Sequence, residues 1–62
     1  MESSLLKGLS PRQDLFVRHY LALFDGARAA RLAGYSPGIA NRRAYKLLQT
    51  TRIRAAIEAE LY

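Results

Sequence analysis

Two Ser-Pro pairs, Ser10-Pro11 and Ser36-Pro37, constrain most strongly what this chain can fold into. A serine before a helix accepts a hydrogen bond from a first-turn N–H, and proline fits the first helical position because its missing N–H had no partner there. Each pair therefore reads as a helix start. At the first, Gln13 stands three residues after Ser10 and completes a capping box, and Asp14 favours the positive end of the helix dipole. Leu15, Phe16, Tyr20, Leu23 and Phe24 then recur near a 3.6-residue period, so this helix is read as the spine of the core. At the second pair, Gly34 stops the preceding helix as a left-handed cap, and only Tyr35 separates Gly34 from Ser36. The spacing predicts a tight turn and a third helix over Pro37–Leu48.

The intervening stretch DGARAARLAG predicts a short second helix capped by Asp25. Its alanines let a neighbouring helix approach closely. A fourth helix comes next in TTRIRAAIEAELY, with Thr50 or Thr51 as cap and Ile53, Ala56, Ile57 and Leu61 along one side. No strand pattern, repeat or low-complexity tract interrupts this order. The expected fold is all-α: a compact helix-turn-helix bundle of about four helices over residues 10–62, with residues 1–9 as a flexible arm.

With 62 residues and no cysteine, such a bundle has neither disulfide nor thiolate metal site to staple it. A lone histidine, His19, builds no metal site, and no cofactor is expected. No apolar run approaches the ~18 residues of a membrane span, and MESSLLKGLS lacks the long apolar segment of a signal peptide. The default compartment is thus the cytoplasm. Enzyme chemistry is not expected: there is no glycine-rich phosphate loop, and the acids Glu2, Asp14, Asp25, Glu58 and Glu60 are scattered.

Charge narrows the partner. The formal net charge is +5, and no Asp or Glu occurs from Gly26 to Ile57. That stretch holds Arg28, Arg31, Arg42, Arg43, Lys46, Arg52 and Arg54, seven of the ten basic residues. A clustered cationic excess of this kind favours a polyanion. Two helices joined by a short glycine-bearing turn fit a helix-turn-helix, whose second helix enters the major groove of double-stranded DNA. On a wheel of about 100° per residue, Ala40, Ala44, Leu47 and Leu48 share one side of the third helix. Arg42 and Lys46 fall nearly opposite, with Gly38, Ile39 and Tyr45 beside them and Asn41 and Arg43 on the flanks. Cations suit phosphates, and Arg and Asn suit base edges. Arg42 and Lys46 are the leading candidate contacts, then Arg43, Asn41, Gly38 and Tyr45. Arg28 and Arg31 read equally as backbone clamps or as solvated side chains. Lys7 and Arg12 could add contacts to the DNA backbone, but the solvated reading is favoured; Arg52 and Arg54 face either the backbone or solvent, without a specific signal. Tyr35 reads as a turn residue packed on the core and not as a stacking platform, though its hydroxyl could still reach a phosphate.

The segments LSPRQDLFVRHYL, DGARAARLAGYSPGIANRRAYKLL and IRAAI together resemble the N-terminal domain of bacteriophage terminase small subunits. The resemblance runs through Leu9–Gln13, Phe16-Val17, Ala29-Ala30, Ala33–Ser36 and Ile53–Ile57, and the Ala-Gly-Tyr-Ser turn with Ala40-Asn41 after it is its most specific part. Gly26-Ala27 and Thr50-Thr51 depart from the Ala-Thr and Asn-Pro pairs usual at those places. The resemblance implies a domain that recognises viral DNA at a packaging-initiation site in the host cell cytoplasm. It also implies delivery of that DNA to a large terminase subunit bearing ATPase and nuclease. Full-length members assemble into rings; this chain, read as the DNA-binding domain alone with an open end at Tyr62, is expected to be a monomer. Two other readings stand beside it. One is a transcription regulator with the same motif, which needs a dimer and two spaced half-sites. The other is an interaction domain whose basic face docks an acidic protein.

Overall fold

A computed structural model describes residues 8–61. Four helices account for most of them: α1 (Pro11–Leu23), α2 (Gly26–Leu32), α3 (Ala40–Gln49) and α4 (Thr51–Leu61). No strand occurs among the described residues. The expected N-terminal arm lies outside the described residues except for Gly8 and Leu9. Leu9 packs against the core, and the Gly8 carbonyl accepts a 3.3 Å hydrogen bond from Arg52 Nη1.

Local capping chemistry sets most of the boundaries. The Ser10 hydroxyl accepts from the Gln13 N–H at 3.1 Å, and the Ser10 N–H donates back to Gln13 Oε1 at 3.0 Å. Asp25 caps α2 by accepting from the Arg28 N–H at 3.2 Å. At the other end of α2, Gly34 takes φ 106°. Its N–H donates to the Arg31 carbonyl and the Tyr35 N–H donates to the Ala30 carbonyl, the paired bonds of a Schellman motif. Thr50 closes α3, donating its hydroxyl to the Lys46 carbonyl at 3.1 Å, while its own carbonyl accepts the Arg54 N–H at the start of α4.

The third helix departs from expectation. It begins at Ala40 and not at Pro37, and the connection from α2 is the seven-residue segment Ala33–Ile39. Ser36 does not cap it. Instead the Ile39 N–H donates to the Ser36 carbonyl at 3.0 Å and the Ala40 N–H to the Pro37 carbonyl at 3.4 Å. These i→i+3 bonds wind residues 36–40 as a tighter turn, and the first α-type bond runs from the Arg43 N–H to the Ile39 carbonyl at 2.8 Å. Gly38 therefore belongs to the turn before α3 and not to the helix.

Among the described residues Phe16, Val17 and Ile53 are the largest fully buried side chains, and six of the eleven buried apolar residues are alanine: Ala29, Ala30, Ala33, Ala40, Ala44 and Ala56. Small side chains let backbones approach, and the approach of α2 to α3 is close: a Cβ placed on Gly26 would lie 3.3 Å from Ala44 Cβ and 3.4 Å from Leu48 Cδ1. Gly26 thus matches a space already filled from α3. The hydrophobic block of α1 is only partly used. Phe16 is buried and Tyr20 half-buried, but Leu15, Leu23 and Phe24 are exposed, and Val17, absent from the expected stripe, is buried. On a wheel of about 100° per residue Leu23 lies at the edge of the arc that holds Phe16, Tyr20 and Val17, whereas Leu15 lies well outside it. Phe24 is the C-cap: its N–H still reaches the Tyr20 carbonyl at 2.7 Å, but its left-handed φ of 52° ends the helix there. On α4, Ile53, Ala56 and Ile57 are buried as expected, whereas Leu61 is exposed.

Candidate nucleic-acid interface

The surface of α3 depends on which of its residues hold it to the core. Ala40, Ala44 and Leu47 face inward and are buried. With that face fixed, the 3.6-residue period sends Asn41, Arg42, Arg43, Tyr45 and Lys46 outward, and all five are exposed. Tyr45 presents 66% of its surface, the most of any large apolar side chain among the described residues. Arg42, Arg43 and Lys46, with Ile39 at the helix entry, line one shallow groove. Three cations thus converge on one strip of surface. Among the described residues none of them has a carboxylate partner; the ion pair that does form joins Arg18 to Asp14 at 2.8 Å, on α1.

The other candidates are placed separately. Arg28 and Arg31 are exposed on α2. Arg31 sits in the last turn, where a cation also complements the negative end of the helix dipole. Gly38 is exposed in the turn, its φ is not in the left-handed region, and a Cβ there would meet nothing within 4 Å. Packing and backbone geometry therefore leave the choice of glycine at this position unexplained. Gly34 differs, since its φ of 106° is one that side-chain-bearing residues rarely adopt.

Arg12 and Tyr35 carry more weight in the folded chain than their places in the sequence suggest. Tyr35 packs against the core, as expected, but it also carries two guanidinium groups: Arg12 Cζ lies 5.4 Å and Arg43 Cζ 5.8 Å from its ring centroid. Arg12 comes from the start of α1 and Arg43 from α3. No periodicity or spacing links positions so distant in the chain; they reach one ring because α1 and α3 both pack on α2, whose following turn carries Tyr35.

The groove is open to solvent and cationic, and this suits a long polyanion better than a small molecule. Among the described residues no helix is long and apolar enough to cross a membrane. A family model described as terminase small subunit matches residues 9–61, nearly the whole chain, which supports a role in phage genome packaging. Comparison with curated proteins and with solved structures gives no match.

Proposed function

The chain belongs to the terminase small subunit family, and from that premise we propose that it binds viral DNA at the packaging-initiation site and presents it to the large terminase subunit. The observation that carries this reading is the outward face of α3, where Arg42, Arg43 and Lys46 share one groove with no carboxylate partner among the described residues. In this reading α3 enters the major groove. Arg42 and Lys46 make the leading contacts, Arg43 and Asn41 flank them, Tyr45 adds an apolar and hydrogen-bonding edge, and Gly38 allows close approach of the backbone. Arg28 and Arg31 on α2 hold the phosphates beside the groove. The chain has no catalytic part in cleavage, which falls to the large subunit. One domain binds weakly and with strong salt dependence, because each neutralised phosphate releases counterions. Assembly of full-length subunits into a ring multiplies that affinity through effective concentration.

The test is an NMR titration of the 62-residue chain with a duplex from a packaging-initiation region and with a scrambled duplex, at low and raised salt. Shifts are expected at Arg28–Arg31 and Gly38–Lys46, fading with salt and larger for the native duplex. In the double variant Arg42→Ala/Lys46→Ala the affinity should fall more than about tenfold with an unchanged helical spectrum. The slope of log affinity against log salt should become shallower by about 2. Equal binding by the double variant would reject α3 as the reading helix and turn attention to an acidic protein as the partner of this face.

A further inference from the structure

We propose that Arg12, held by Tyr35 beside Arg43, is a second phosphate contact that ties the start of α1 to the DNA-binding face of α3; this rests on the DNA-binding reading above. Three observations lead to it. First, the two guanidiniums share one ring, at 5.4 and 5.8 Å from its centroid. Two like charges gathered on one aromatic, without a carboxylate partner among the described residues, form a cationic point whose natural counter-charge comes from outside the chain. Second, Arg43 belongs both to this point and to the groove it lines with Arg42 and Lys46. The two features are therefore one strip of positive charge, running from α3 across the turn to the first turn of α1. Third, the ring is anchored. The Tyr35 N–H is bound to the Ala30 carbonyl within the Schellman motif, and the side chain packs on the core. Arg12 also lies across that motif, with its Nε 3.7 Å from the place of a Cβ on Gly34.

The chemistry comes from the rigidity. An exposed arginine loses rotamer freedom when it binds a phosphate. An arginine already held over a fixed ring has given up part of that freedom in the free protein, so its planar fork loses less on contact. Tyr35 is accordingly a positioning residue that acts through Arg12 and Arg43, and the contact is to the DNA backbone, without sequence preference. An open cleft lined by Ser10, Pro11, Arg12, Leu15, Ala33 and Tyr35 lies beside the ring.

Binding of a duplex of about 20 base pairs by the full 62-residue chain, measured over a salt series, tests this. Arg12→Ala is expected to weaken binding about three- to tenfold at low salt, equally for native and scrambled duplexes, and to make the salt slope shallower by about 1. Arg12→Lys keeps the charge but not the planar guanidinium, and should keep the slope while losing part of the affinity. Tyr35→Phe keeps the ring and should bind as the parent does; Tyr35→Leu should weaken binding with a helical spectrum like the parent's. If Arg12→Ala binds with the parent's affinity and slope while Arg42→Ala/Lys46→Ala does not, the α1 contact is wrong and the α3 reading stands. If the parent chain itself binds no duplex at low salt, the α3 reading fails and this contact fails with it. Because Arg12 is an exposed first-turn residue, its variants report on binding even if Tyr35→Leu fails to fold.

Discussion

The same dipeptide begins two stretches of this chain and produces different structures. Ser10-Pro11 opens α1 at the proline, with the serine as cap. Ser36-Pro37 opens a turn, and α3 starts three residues after the proline, at Ala40, with Ile39 in the cap position and no side-chain hydrogen bond there. The difference lies three positions downstream of each serine. After Ser10 comes Gln13, whose side chain accepts the serine's own N–H and locks the first turn. After Ser36 the equivalent position is Ile39, which has nothing to offer that N–H, and Gly38 lowers the local preference for helix. The chain there closes i→i+3 bonds instead, and α bonding begins only from the Ile39 carbonyl. A cap residue is thus half of a signal, and the residue three positions later supplies the other half.

Substitutions can break this contrast or sharpen it. The largest effect is expected just before the second pair, at Gly34→Ala. A left-handed backbone with a side chain costs about 1–2 kcal/mol, and the loss should appear as a lower denaturant midpoint with an unchanged slope. Ser10→Ala should come next, at about 1 kcal/mol, because it removes a cap that the structure uses. Gly38→Ala should go the other way and stabilise by about 0.4–1 kcal/mol, since its backbone is ordinary and a Cβ meets open space. If Gly38 serves close approach to DNA, the same variant should bind duplex more weakly despite its higher stability; an unchanged affinity would remove Gly38 from the interface. Ser36→Ala should be the smallest, within about 0.5 kcal/mol, as its hydroxyl caps no helix. A loss equal to that of Ser10→Ala would mean that α3 begins at Pro37 in solution after all, restoring the equivalence of the two pairs.

The outward face of α3 is insensitive to where the helix starts. Which side chains face out is decided by the side that Ala40, Ala44 and Leu47 hold to the core, and that pattern is legible in the sequence. Asn41, Arg42, Arg43, Tyr45 and Lys46 therefore emerge exposed whether the helix begins at residue 37 or 40. Gly38 is the one candidate whose setting differs from expectation, lying in the turn and not in the helix. The core of α1 is less legible. Its five hydrophobic positions cover a wider arc than α2 and α4 occupy in so small a bundle, so Leu23 is left at the margin, Leu15 lies beyond it, and Phe24 is exposed at the left-handed C-cap. Periodicity locates the buried side but not its width.

By itself the sequence determined what depends on neighbours within a few positions: four helical segments, the caps at Ser10 and Asp25, the stop at Gly34, and the cationic, acid-free character of the stretch that carries α2 and α3. Those are governed by hydrogen bonds and charges that a short window contains. Tertiary structure decided how closely Gly26 approaches Ala44, which side of α1 is covered, and the meeting of Arg12 with Arg43 on Tyr35. Those depend on how the helices pack, which is set by the sum of many small contacts across the core and is written in no single segment.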